Sequence, residues 1–367
     1  MHEIDASLFE ADLLTSPPSQ YREPRFEQDK FGRPRWTLVD DMGCEHVFSD
    51  GASIRDARFS GWNLSGILLL DIELDTVAFF NSRLANFELQ EARIRRLVIS
   101  GGEGGLVMKS SSIKDVKVED LNDPEAVVRL FGCEVANLLI TSCKCGIDIA
   151  RSTVTGLVLQ RCDFAGRAAS IRESTLQAPR IIYCTFRAVR LFRANLIESE
   201  IAQSAFVECH WEKVDMSLSQ LSDVSLSKCR IHKLSLDAVV ARSLKIFHTR
   251  ALHVTSVFSD LFDLEVTHGI FGATFEHSRV RALMLCDLET HLIMKETQTF
   301  GLRLCDVIGI IGGAGTTWWA PVIRRSILRG NGTRGITLFR ADCTNTKVIN
   351  DFGIWTEETE IRKDPKK

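Results

Sequence analysis

Cys143 and Cys145, with one residue between them, have the spacing of a metal pair. Thiolates so placed reach a tetrahedral cation such as zinc when a second pair stands nearby. No second pair does, and both cysteines fall on positions that the repeat described below turns inward. His248 and His268 are 20 residues apart in one unbroken phase. Two stacked imidazoles hold a metal or sense pH, but the next residue down that column is Lys228, not a third ligand. Gly312-Gly-Ala-Gly-Thr316 precedes an apolar stretch as a phosphate loop would, yet the Gly-Lys-Ser/Thr ending is absent. It reads as a hinge. No catalytic constellation emerges, and none of these residues is assigned to a metal or a cofactor.

Charge is more informative. Arg190, His210, Arg230 and Arg250 follow one another at 20-residue steps. Arg193, Lys213, Lys233 and His253 do the same three residues on. Ser170 and Glu173 precede the two series, His232 lies between them, Arg172 extends the patch, and Glu212 is the only acid of the patch in its middle coils. If a coil is 20 residues long, these are two adjacent basic columns on one side. Stacked like charges repel, so such columns call for a counter-ion or a partner. The expectation is an anionic partner, an acidic protein or a nucleic acid, recognised by charge and shape because a flat β face does not read bases in a groove. The competing reading is a solvated face with chance clustering.

What would place these residues is a repeat of five. From Ile171 through Leu191, Phe206, Leu226 and Ile246 to Phe271, every fifth residue is apolar except Ser256. Two residues before each stands a small or apolar residue, such as Val189, Cys209 or Val224. A period of five fits neither the 3.6 of a helix nor the plain 2 of a long strand. It fits a very short strand followed by a corner, the signature of a solenoid. The fives begin at Ala52, are interrupted by Gly101-Gly-Glu-Gly-Gly105, and slip at Gly146, around Gly166-Arg167 and after Phe271. Glu119–Ala126, with Asn122-Asp-Pro-Glu125, reads as a loop thrown outward.

The flanks differ. Residues 1–51 carry eleven acids against five Lys and Arg and read as an N-terminal cap. Within it a short amphipathic helix is expected over Asp5–Leu14 and strands at Trp36–Val39 and His46–Phe48. The array is expected to run over residues 52–309, with Leu302, Leu304 and Val307 in a last coil. Residues 310–367 read as a C-terminal cap. A helix is expected over Thr316–Leu328, and Trp318 and Trp319 offer a homodimer contact. Hydrophobic residues make up 45% of the chain and charged residues 25%, as in ordinary folded proteins. The net charge of -3 gives no overall polyanion or polycation argument. No stretch approaches the ~20 apolar residues of a membrane span, and the acidic start is unlike a signal peptide. The eleven cysteines lie mostly on inward positions and read as buried free thiols in a cytoplasmic protein.

Ala194-Asn195-Leu196, with Ala92-Arg-Ile94 and Ala57-Arg-Phe59, resembles the pentapeptide-repeat family, whose consensus is Ala, Asp or Asn, Leu and two polar residues. The resemblance covers roughly 52–309. It implies an all-β protein: a right-handed, four-sided parallel β-helix. At ~4.8 Å per strand spacing, about twelve or thirteen coils make a rod of ~60 Å. Bulky first inward residues (Trp62, Phe87, Leu97, Leu234, Leu244) depart from the pattern. The family is not typically enzymatic. The resemblance implies a binding or scaffolding role, or alternatively a DNA mimic that acts on DNA gyrase and protects it from quinolones or toxins. The second role requires a long acidic face plus outward loops, for which Glu119–Ala126 is the candidate loop. The acids here are scattered, which also fits poorly with a β-helix enzyme of the polysaccharide-lyase kind.

Overall fold

The computed structural model describes residues 20–164 and 170–319 and, beyond these, strands that end with Glu360–Arg362; side chains are described up to residue 307. The helix expected over Asp5–Leu14 and the slip at Gly166-Arg167 lie outside the described residues. Everything described is strand and connection: a three-stranded antiparallel sheet, then a parallel β-solenoid of about twelve turns.

Short strands form because inward and outward positions alternate within each five, and the corner then resets the count. Leu191, Phe206 and Leu226 are 3%, 3% and 2% exposed. Their partners two residues earlier, Val189, Ser204 and Val224, are buried as well. Corners recur at every fifth residue from Glu173 to His268, each in the left-handed region, as at Arg193, Glu198, Gln203 and Glu208. Few are Asn or Asp, the residues that tolerate this backbone best after glycine. Coil-to-coil hydrogen bonding must therefore hold each corner. Lys228 N donates to Phe247 O at 3.0 Å, and Glu208 N to Ser227 O at 2.8 Å.

Ladder pairing fixes the register. Ser112 lies opposite both Arg93 and Glu134, so early coils vary in length. From Ser170 onward the partners fall at steps of 20, through Arg190, His210, Arg230 and Arg250. The slip after Phe271 is a register shift between Ala251 and Val254 against the next coil. Beyond it the assigned strands lengthen, Asp260–Glu276, Met284–Lys295 and Arg303–Trp319, still paired in parallel, while left-handed residues continue at His277, Ala282, Asp287, Glu296 and Asp306.

Two expectations are corrected. Where a helix was expected over Thr316–Leu328, the described residues are strands: Trp318 lies opposite Thr299, Ile323 opposite Leu304 and Leu328 opposite Gly309. The pairing continues to Glu360–Arg362. Local helix signals there yield to a preceding coil that already offers an open strand edge. Nor is Glu119–Ala126 thrown outward. Leu121 and Ala126 are buried, Asp123 Oδ2 accepts Gly104 N at 2.8 Å, and Lys144 N donates to Leu121 O at 2.8 Å.

At the N-terminal end, Arg25–Gln28, Pro34–Val39 and Glu45–Ser49 form the antiparallel sheet. It delivers Leu38 and Phe48 into the solenoid core. Phe48 meets Phe59 edge-on at 5.3 Å between ring centroids.

Where the small inward position is filled by Cys, Ser or Thr, the side chain also serves as a donor between coils. Ser204, Ser219, Thr249, Cys209 and Cys229 each bond a carbonyl two residues back and another in the preceding coil; Cys229 Sγ, for example, donates to Ser227 O at 3.3 Å and Phe206 O at 3.4 Å. Burial pushes the Cys133 thiol up, and burial, with Cys305 beside it, pushes Cys286 up to about 11. Protonated, enclosed thiols are poor nucleophiles. A disulfide reagent added to the native protein near neutral pH should modify exposed Cys44 quickly and leave the seven buried thiols until denaturant is added. Rapid native modification of the buried set would show that these positions do not point inward.

Candidate anion-binding face

The two basic series each form a column along the ladder. Arg190, His210, Arg230 and Arg250 are successive partners in one parallel ladder and all four are exposed. Arg193, Lys213, Lys233 and His253 are exposed corner residues with φ of 48°, 55°, 61° and 58°. Between the columns runs a third, made of Phe192, Glu212, His232 and Leu252. His232 and His253 meet edge-on at 5.1 Å, and the Arg193 guanidinium lies 5.0 Å from the Phe192 ring centre.

Elsewhere on the solenoid many stacked charges are neutralised between coils, although among the described residues Arg96, Lys114, Arg161, Arg242 and Arg279 have no ion pair either. Arg180 Nε meets Glu200 at 2.8 Å, Lys228 meets Glu208 at 3.6 Å, Arg93 meets Asp71 at 3.3 Å and Lys295 meets Glu276 at 3.2 Å. Each pair joins neighbouring coils. Of the eight residues in the two columns, Arg193 alone is so paired among the described residues, with Glu173 at 3.6 Å. Among the described residues, Arg190, Lys213, Arg230, Lys233 and Arg250 have no carboxylate within ion-pair distance. Adjacent cations about 5 Å apart repel by roughly 1 kcal/mol per pair in water and more near a low-dielectric wall. The face therefore carries an uncompensated positive potential on a chain whose net charge is -3.

The other candidates resolve differently. Cys143 and Cys145 are buried, and Cys143 Sγ donates to Thr141 O at 3.1 Å. His248 and His268 do stack, 4.8 Å between ring centres, and His268 Nε2 lies 3.6 Å from Asp287 Oδ2. Among the described residues no group of three or more His, Cys, Asp or Glu is placed to hold a metal. The side chains of Trp318 and Trp319, and with them the expected homodimer contact, lie outside those described. Among the described residues no helix is long and apolar enough to cross a membrane.

Corner periodicity, parallel ladders and coils near 20 residues define the class of architecture: a parallel β-solenoid with a left-handed corner at every fifth residue. No family model matches the chain, and no curated protein does. Among solved structures it is similar to QnrB1, a plasmid-mediated fluoroquinolone resistance protein, at 13% identity over 53% of this chain and 89% of that one, with a TM-score of 0.37. It is also similar to HetL, a pentapeptide-repeat protein involved in heterocyst differentiation regulation in the cyanobacterium Nostoc, at 13% identity over 52% and 84%, TM-score 0.31. A glycosylated TibA fragment covers more of the chain, 84%, at 6% identity and a TM-score of 0.30. The fold assignment rests on the ladder and corners of this chain, not on these likenesses.

Proposed function

We propose that this chain is a non-enzymatic binding or scaffolding module that docks an anionic partner on its basic face. The observation that carries the reading is the clustering, in two adjacent columns on one face, of Arg190, Lys213, Arg230, Lys233 and Arg250, none with an ion pair among the described residues. Arg190 to Arg250 spans three strand spacings, ~15 Å. A rigid row of cations at that pitch matches an extended polyanion and costs little to order on binding.

The test uses heparin as a generic polyanion. At neutral pH and low salt the protein should be retained on immobilised heparin despite its acidic pI, and retention should fall steeply as salt rises. Replacing Arg190, Arg230 and Arg250 together by Glu should abolish retention. These are exposed positions on a rigid ladder, so the far-UV circular dichroism spectrum and melting temperature should hold, and removal of repulsion favours the fold. Equal retention of the folded triple variant would reduce the basic face to solvated surface.

A further inference from the structure

The middle column of the basic face narrows the kind of anion. Followed downward from His232 it reads Glu212, Phe192, Arg172, Ala150 and Phe131, each opposite the next in the parallel ladder. Ala150 is small and buried where its neighbours in the column are large. The result is a notch of about 280 Å³ with Phe131 and Phe192 at its two ends and Arg151, Arg172 and Glu173 on its rim. Phe131 is 41% exposed, an unusual position for a phenyl ring.

The rim is held in place. Glu173 grips Arg151 at 3.2 Å and Arg193 at 3.6 Å. Asp148 grips Arg129 and Arg172, both at 3.2 Å, and accepts Ser170 Oγ at 2.6 Å. The Arg151 guanidinium lies 5.7 Å from the Phe131 ring centre. Both carboxylates are therefore shared between two guanidinium groups, and the notch keeps a positive surplus. It opens directly onto the two basic columns, since Arg172 and Phe192 are successive partners.

We propose that the basic face and this notch together bind single-stranded nucleic acid, with phosphates along the columns and unpaired bases stacked on the Phe131 and Phe192 rings at the two ends of the notch. This rests on the anion-docking reading above and adds to it. Aromatic faces interleaved with cations are what an unpaired strand needs, because every base has a π-face and each nucleotide a charge. An acidic protein surface would use the cations and leave the phenyl rings without a role. A duplex keeps its bases stacked inside and offers this flat face only its backbone. The notch falls just below the usual range for ligand pockets, suited to a ring and not to a whole cofactor. Binding is expected to tolerate sequence and to accept DNA and RNA alike, since stacking does not read base edges.

Fluorescence anisotropy with a labelled oligothymidylate, the matching oligouridylate and a duplex of equal length tests this. The single strands should bind, and the duplex more weakly. Phe131→Ala and Phe192→Ala should each weaken single-strand binding by about tenfold while leaving retention on heparin unchanged. Phe192→Tyr, which keeps the ring, should restore affinity. If the alanine variants bind oligothymidylate like the parent, or the duplex binds as tightly, base stacking is wrong while the basic face stands. The same holds if heparin and polyglutamate bind but oligonucleotides do not, which would point to an acidic protein. If neither heparin nor an oligonucleotide binds, both readings fall.

Discussion

Phe186→Ala should cost about 3–5 kcal/mol of stability. Phe186 is fully enclosed. It stacks on Phe164 at 5.0 Å and on Phe206 at 4.8 Å with the rings 5° from parallel, and Trp211 from the adjacent strand lies edge-on to Phe206 at 5.0 Å. Truncation removes the middle ring of three consecutive coils and leaves a hole that rigid ladders on four sides keep from collapsing. The loss includes the transfer free energy of the ring and its stacking with both neighbours. Each coil touches only the next, so a weak coil is a place where the solenoid opens. Urea unfolding followed by far-UV circular dichroism should show a lower midpoint, or an early phase from the coils around residue 186. Phe186→Leu, which fills most of the space, should lose much less. A shift under about 1 kcal/mol for the alanine variant would mean that the ring stack is not a main part of the core.

Gly102→Ala should be nearly as damaging, for a reason unrelated to the core. Gly102 has φ of +90°, and a Cβ there would lie 2.1 Å from Ser82 O and 2.7 Å from Ser82 N. Both obstacles are backbone of the coil below and cannot swing aside. Left-handed strain alone costs about 1–3 kcal/mol, and forced separation of the coils adds a further ~1–3 kcal/mol. Gly66 supplies the control. Its φ is +73°, but nothing lies within 4 Å of the added Cβ. Gly66→Ala should therefore cost only the strain, roughly 1–2 kcal/mol. Melting temperatures of the two variants, measured side by side, should differ clearly. Equal values would mean that the coils near Gly102 are not closely stacked.

The same glycines show what the sequence did and did not disclose. Gly101–Gly105 reads as a break in the fives, whereas it is a tight passage: Gly104 lies against Ala85 and Gly105 against Val127. Inward positions such as Leu191, Phe206 and Leu226 were legible because burial is imposed at a fixed period. The left-handed corners were not, because Arg193, Leu218, Lys228 and Phe258 are not residues that announce such a backbone. Over Thr316–Leu328, apolar spacing and flanking glycines imitate a helix, and only the pairing of Trp318 with Thr299 and Ile323 with Leu304 reveals strands. Nothing local carries that pairing. Asn122-Asp-Pro-Glu125 misled similarly, because Asp123 spends its side chain on Gly104 N. For the candidate face, the 20-residue step gave both basic columns. It missed Phe131 and Phe192, since an outward phenylalanine looks like noise in a search for inward ones. A scan of the residue just after each inward centre would have aligned Phe131, Ala150, Arg172 and Phe192, once the uneven early coils were allowed for.

The hydrogen bonds between coils, such as Arg230 N to Cys209 O and Arg250 N to Cys229 O, lie along the length of the rod. Tension applied to its two ends therefore acts on them along their own direction and on a few at a time, as when a zipper is opened. The chain yields one coil after another, and each coil of 20 residues pays out slack on the order of 65 Å. A strand or polymer lying along Arg190 to Arg250 bridges four coils in the direction of the load. Bound there, it acts as a splint over a segment that would otherwise open link by link.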